Sequence, residues 1–420
     1  MGREIRAVRI LVDQSDYELM NVGDIAILQS CVIRLRQQWP DAEIMVVGHA
    51  LDRIVTSCPG TVAIARASDK SFSRLIPRKY LAVWESTLPY FAGRLGRRRP
   101  GQWPPRTAVQ AVRVADLVVA AGGGYVTDAF RWHATGVLRL LSLAQRRGKP
   151  TAMFGMGIGP INERALRTQA RAVLPKLAAL SLREDRMGPD LALSLGTPPG
   201  AMTVSGDEAL ELTAGTSAPE GHALGVNMRV SGYAGVDPAA AAAIGDLLLE
   251  SAAALQAPIV ALPVSRGAAG DDLGSIRALL RPERSRADIT LNDFTTPEAL
   301  ITAAAGCRAI VTGSYHAAVF GLAQGVPTIC LTKSSYYDAK FAGLRALFPS
   351  ACSVVSLDQP DCAAQLRTAI DEAWHLPAPA RAAAREATTR QRNAGREAYA
   401  RFRDAVEKSP VMVTADSRAR

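Results

Sequence analysis

Six cysteines are spread over 420 residues, at positions 31, 58, 307, 330, 352 and 362, and no pair has CxxC spacing. That excludes a zinc knuckle and a dithiol redox motif. Most sit in apolar runs and read as reduced, buried thiols of a cytoplasmic protein. Histidine is scarce: His49, His133, His222, His316 and His375 form no pair at i, i+3 or i, i+4. With HExxH and EF-hand patterns also lacking, no protein metal site is expected. No GxSxG elbow and no GxxxxGK[ST] loop occur; Gly148-Lys149-Pro150-Thr151 lacks the upstream glycine. No apolar run approaches the roughly 20 residues that span a bilayer. The N-terminus lacks a signal-peptide core, so the expected location is cytoplasmic.

What is present is ordinary globular usage, 48% apolar and 21% charged residues, with a formal net charge of +10. The excess is local. Residues 71–106 hold eight Lys/Arg and one Glu, and residues 376–420 hold ten Lys/Arg against five acids. Two basic appendages on a balanced body fit a surface that meets something anionic. No motif supports nucleic acid. The stretch 71–106 also carries Trp84, Tyr90, Phe91 and Trp103, and a peripheral contact with membrane headgroups or a lipid-linked acceptor is expected there.

Short Val/Ile/Leu-rich runs alternate with helical patterns, which argues for βαβ units and parallel sheets. Strands are expected at 7–13, 44–48, 61–65, 117–121, 151–154, 177–182 and 202–204. A second series follows at 223–228, 258–263, 289–291, 309–312, 328–331 and 352–356. Between the series, the polar stretch 206–222 reads as a linker. The expected architecture is two Rossmann-like domains facing a cleft, 1–205 (acceptor side) and 223–375 (donor side). A C-terminal helix and tail occupy 376–420, the helix over 380–408. There Tyr399, Phe402 and Val406 form one apolar stripe able to dock on the body. Ligands of such sheets bind beyond the strands' carboxyl ends, so the cleft is the expected site.

Five segments carry candidate chemistry. Asn21-Val22-Gly23-Asp24 opens the first helix; Gly23 permits a tight turn whose free N–H groups could meet an anion. Asp24 could take a proton, hold a sugar hydroxyl, or merely serve the helix start. Gly122, Gly123 and Gly124 follow a strand, as do Gly157 and Gly159 in GMGIGP; such glycines allow close approach of a ligand or of backbone. Neither run fits a dinucleotide fingerprint. Arg183, in Ser181-Leu182-Arg183-Glu184-Asp185, stands where a strand meets a helix. It could grip a carboxylate or phosphate, or pair with its acidic neighbours. In Thr312-Gly313-Ser314-Tyr315-His316, the imidazole of His316 falls in the first turn of a helix, where the dipole favours its neutral form. Gly313, Ser314 and Tyr315 offer an anion pocket. Lys333 and Lys340 follow the next strand on the same sheet edge.

The ordered set NVGDIAIL, AGGGYVTD, GMGIGP, SLRED and SYHAAVFGLAQGVP, over about residues 7–345, resembles the polysaccharide pyruvyl transferase family. The resemblance implies an architecture like that of glycosyltransferases of the B fold. It also implies transfer of an enolpyruvyl unit from phosphoenolpyruvate to a sugar, oligosaccharide or lipid-linked glycan, with a pyruvate ketal as product. Phosphoenolpyruvate would be a co-substrate, and no cofactor is implied. By the same likeness His316 would be catalytic, Arg183 would bind the donor, and Asp24 would lie near the acceptor. Many relatives place Arg two residues before the histidine; this chain has Ser314, so Lys333, Lys340 or Arg266 would supply the missing charge. The alternatives are a nucleotide-sugar glycosyltransferase of the same architecture, with Arg266 on the diphosphate, and an inactive glycan-binding relative.

Overall fold

The structure is a computed structural model that describes residues 7–66, 103–216, 221–228, 238–267, 270–285 and 287–408. Most of the basic stretch 71–106, and its expected membrane contact, lie outside the described residues.

The first sheet collects β1 (Arg9–Asp13), β2 (Glu43–Gly48), β3 (Val62–Ala65), β4 (Leu117–Ala120), β5 (Gly123–Val126), β6 (Thr151–Ile158), β7 (Ala179–Leu182) and β8 (Met202–Val204). Its order is β3-β2-β1-β4-β6-β7-β8, with β5 paired to β6, and every pairing is parallel. The second sheet collects β9 (Ala223–Asn227), β10 (Ile259–Ala261), β13 (Ile289–Thr290), β14 (Cys307–Thr312), β15 (Thr328–Thr332) and β16 (Cys352–Ser356). Its order is β13-β10-β9-β14-β15-β16, again parallel. A small antiparallel ribbon joins β11 (Arg266–Gly267) to β12 (Gly270–Asp271). The strand runs are continuously apolar because helices cover both faces.

Two details differ from the strand pattern read in the sequence. β6 does not stop at Phe154. Gly155 adopts φ +59° where the register to β7 shifts, and the strand resumes beyond this bulge to Ile158. β5 is glycine-rich and has little strand propensity; it exists because β6 offers it a paired edge.

One apolar core runs through both halves. It joins Ile25 and Leu28 of the Val22–Gln38 helix, Leu300 of the Pro297–Ala305 helix, Phe320 of the Tyr315–Ala323 helix, and Tyr399 and Phe402 of the Ala378–Glu407 helix. The C-terminal stripe docks as the spacing predicts: Tyr399, Phe402 and Val406 are buried, and the Tyr399 ring stacks on Phe154 at 3.7 Å.

Within the stretch read as a polar linker, Glu208–Thr213 instead forms a buried 3-10 helix packed on the first and last helices. Its acids are buried because they are paired. Arg34 donates to Glu208 (2.6 Å) and Glu211 (3.0 Å), Arg396 donates to Glu211 (2.6 Å), and the Tyr399 hydroxyl donates to Glu208 (2.7 Å). Those partners come from far along the chain, so local polarity could not reveal them.

Candidate functional site

The glycine runs and Arg183 come together where β5, β6 and β7 end. Arg183 follows β7 and is 3% exposed. Its guanidinium lies 4.3 Å over the Tyr315 ring, and its carboxylate neighbour is Asp207 at 3.9 Å. The guanidinium donates no hydrogen bond to any described residue. Glu184 does not pair with it, because that carboxylate accepts the N–H groups of Arg186, Met187 and Gly188 and so starts the next helix. Gly124 and Gly157 make the space. A Cβ on Gly124 would fall 2.4 Å from a guanidinium nitrogen, and one on Gly157 2.6 Å from Arg183 Nε.

Around this cation lies an open hollow of about 350 Å³, lined by Gly124, Gly157, Gly159, Arg183, Tyr336 and Lys340 among others. Lys340 and Tyr336 come from the Ser335–Leu347 helix of the second half. The ammonium sits 3.9 Å from the Tyr336 ring centre. The Tyr336 hydroxyl donates to the Gly124 carbonyl at 3.0 Å, crossing from one half to the other. Two cations thus share one wall-to-wall hollow of glycine and aromatic surface, an arrangement suited to a small anion with more than one charge. Of the three groups considered as substitutes for a cation at Ser314, Lys340 lines this hollow. Lys333 is half-buried at the end of β15 and outside the lining, and Arg266 lies 4.0 Å from Asp293.

His316 is one ring away. It is buried in the first turn of the Tyr315–Ala323 helix, with its ring centre 5.7 Å from that of Tyr315, and it is not part of the hollow's lining. The imidazole rests on Gly23: a Cβ there would fall 2.0 Å from His316 Cγ. Next to Gly23, Asp24 accepts from the Ser15 hydroxyl at 2.7 Å. Burial, and then the charge of Asp16, push its carboxyl up to about 7. Ser15 in turn meets Gly123, where φ is +138° and a Cβ would come within 2.8 Å. A closed circuit therefore runs Arg183, Tyr315, His316, Gly23, Asp24, Ser15, Gly123, Gly124 and back to Arg183.

Two expected anion pockets are not built from the groups the sequence pointed to. The N–H groups of Gly23 and Asp24 are taken by the Asn21 side chain (2.9 and 3.3 Å), so Asn21 caps the first helix and Asp24 is left to Ser15. The N–H groups of Gly313 and Ser314 donate to the Asn227 carbonyl (3.1 Å) and the Thr312 hydroxyl (2.8 Å). Ser314 is buried behind this turn, and the aromatic face of Tyr315 is what the segment presents to Arg183. Gly122 packs on the carbonyls of Phe154 and Gly155, and Gly159 (φ +100°) against Met187 and Leu191.

Tyr336 and Asp207 escaped the sequence reading. Each carries no motif of its own, and its relevance comes from partners more than 20 residues distant. Asp13, buried at the end of β1, was also missed. It accepts from Gln14 N, the Tyr17 hydroxyl and Arg66, which fixes the loop bearing Ser15.

A family model described as polysaccharide pyruvyl transferase matches residues 21–335, three quarters of the chain and every member of the circuit above except Ser15. The chain belongs to the polysaccharide pyruvyl transferase family. It is thus a transferase of glycan modification. No curated protein matches it in sequence. Solved structures share its architecture. The UDP-GlcNAc 2-epimerase of Methanocaldococcus jannaschii superposes with a TM-score of 0.57 at 12% identity, covering 88% of this chain and 93% of that one. A UGT transferase of Siraitia grosvenorii, solved in complex with UDP, gives 0.57 at 12% identity over 96% and 100%. Medicago truncatula UGT71G1, complexed with UDP-glucose, gives 0.58 at 9% identity over 95% and 98%. At such identities the likeness shows the fold, the paired parallel sheets of B-type glycosyltransferases with a C-terminal helix. Among the described residues no helix is long and apolar enough to cross a membrane.

Proposed function

We propose that this pyruvyl transferase moves an enolpyruvyl unit from phosphoenolpyruvate to two hydroxyls of a sugar, oligosaccharide or lipid-linked glycan. The observation that carries the reading is Arg183, a buried guanidinium with no hydrogen-bond acceptor among the described residues, facing a hollow that Lys340 shares. Burying a guanidinium whose donors are left without acceptors, with one carboxylate at 3.9 Å, costs free energy that a ligand can offset. The carboxylate and phosphate of phosphoenolpyruvate supply that complement. Each charge-assisted bond to them contributes about 1.5–3 kcal/mol.

In the proposed reaction a proton adds to the methylene carbon, which becomes the methyl group and leaves C2 electrophilic. One sugar hydroxyl attacks C2 and loses its proton, and the C–O bond to phosphate breaks. A second hydroxyl closes the ketal. Of the two hydroxyl protons, one balances the methyl group and the other leaves on hydrogen phosphate. His316 and Asp24 are the proton carriers in this scheme. A carboxyl near 7 can both give and take a proton at neutral pH, and each positioned acid or base is worth about 10²–10⁴ in rate.

Thermal-shift titration with phosphoenolpyruvate against UDP and GDP tests the donor. Stabilisation by phosphoenolpyruvate supports the proposal. Stabilisation by a nucleotide alone favours the glycosyltransferase alternative, whose support is the shared fold with proteins solved with UDP and UDP-glucose. Phosphate released from phosphoenolpyruvate when acceptor is added rejects the inactive-relative alternative. His316→Gln should abolish that release while the fold stays intact; near-normal release would remove His316 from the mechanism.

A further inference from the structure

Beyond β5 the chain makes a 3-10 turn at Asp128–Phe130 and enters the Arg131–Gln145 helix. Two aromatic side chains are presented there, Phe130 at 37% and Trp132 at 57% exposure. Among the described residues the other exposed large apolar side chains, Ile33, Val55 and Leu193, stand singly on separate helices. Phe130 continues the hollow. The Phe130 ring meets Tyr336 edge-on at 5.8 Å, and Tyr336 is part of the lining. The indole is also held. The Arg131 guanidinium lies 4.7 Å over the Trp132 ring and reaches Glu163 at 3.7 Å, so a surface ion pair braces the indole.

We propose that Trp132, with Phe130 beside it, is the platform for a hexopyranose ring of the glycan acceptor, whose C–H face stacks on the indole. A pyranose has one apolar face and a polar edge. The platform matches both: Arg131 covers one face of the indole and leaves the other for the ring's C–H face, and Arg131 and Glu163 are hydrogen-bonding groups for hydroxyls. A lipid surface would call for a broader apolar face than these two exposed side chains. Placement also fits: Trp132 stands two residues beyond Phe130, whose ring meets Tyr336 of the hollow's lining. The proposal rests on the acceptor being a glycan and is independent of the donor's identity.

The test uses the full chain and a panel of methyl hexopyranosides (glucose, galactose, mannose and N-acetylglucosamine), read by saturation-transfer NMR. Wild-type protein should give C–H signals for at least one sugar. Trp132→Ala should weaken binding of that sugar roughly five- to tenfold, and Trp132→Phe should restore most of it. Both side chains are exposed, so the melting temperature and the thermal shift with phosphoenolpyruvate should not change in either variant. Where turnover is measurable, the acceptor KM should rise by the same factor with kcat retained. Equal sugar binding by wild type and Trp132→Ala overturns the proposal, as does a wild-type protein that binds none of the panel. Loss of co-sedimentation with vesicles of 70% neutral and 30% anionic lipid, with sugar signals unchanged, overturns it in favour of a membrane contact. If phosphoenolpyruvate fails to bind while the sugar result holds, the donor reading falls and the platform stands.

Discussion

Two buried arginines lie at the junction of the two sheets, and they are opposite in kind. Arg34, 2% exposed, donates to both Glu208 and Glu211. Arg183, 3% exposed, has Asp207, at 3.9 Å, as its one carboxylate partner among the described residues. Their countercharges come from the same short segment, Asp207 serving one and Glu208 with Glu211 the other. Both need glycine to fit: a Cβ on Gly395 would fall 2.6 Å from the Arg34 guanidinium, as one on Gly124 would fall 2.4 Å from that of Arg183. Space and burial are therefore alike, and satisfaction differs. A guanidinium whose donors are filled by the protein holds the fold together. One whose donors are open is, in the proposed reading, kept for a ligand.

The comparison breaks if the two arginines respond alike to removal. Arg183→Gln should lower kcat/KM for phosphoenolpyruvate by about 10²–10⁴, the loss of two charge-assisted bonds, with the melting temperature maintained. Stability survives because Asp207, already raised by burial, can take up a proton when its cation goes. Arg34→Ala should behave in reverse. It leaves buried Glu208 with only the Tyr399 hydroxyl and Glu211 with Arg396, and should cost about 3–5 kcal/mol in urea unfolding. Should Arg183→Gln unfold the protein as readily, Arg183 is structural and the donor site lies elsewhere.

The glycines sharpen the same contrast with smaller effects. Gly395→Ala should destabilise by about 1–3 kcal/mol through overpacking against Arg34, and leave the KM for phosphoenolpyruvate alone. Gly124→Ala should do the opposite, raising that KM several-fold at constant stability, because its Cβ displaces the end of Arg183. Calorimetry and steady-state kinetics on the two variants read both effects.

The mildest effect is a pH profile at Asp24. Its folded pKa, about 7, lies above the 3.8 of an ordinary aspartate, so the folded chain holds this proton more tightly than the unfolded chain. The stabilisation that follows is full below about pH 4 and is lost as pH rises toward 7. Asp24→Asn should remove this part of the slope from urea midpoints measured between pH 4 and 7. An unchanged slope would mean the carboxyl is ordinary.

Much of the fold was legible because buried parallel strands and their covering helices leave long, regular apolar runs. The β14 segment and the helix at Pro297–Ala305 follow directly from such runs. The helix after β14 starts at Tyr315, with His316 in its first turn as the motif's position implies. The site was legible as a list of residues and illegible as a circuit. Nothing near Gly23 in sequence announces an imidazole from position 316. The backbone donors of Gly313 and Ser314 read as free, and they were spent on Asn227 and Thr312. The acids of Glu208–Thr213 read as solvent-facing because their partners at positions 34, 396 and 399 are remote.

The C-terminal helix has a practical consequence. It lies wholly past residue 335, where the family match ends, yet it contributes Tyr399, Phe402, Arg396 and the glycine that admits Arg34. The stretch that marks ancestry and the stretch that must be made for the protein to hold its shape thus have different lengths. Expression trimmed to the former would discard one side of the interior and leave Phe154 bare.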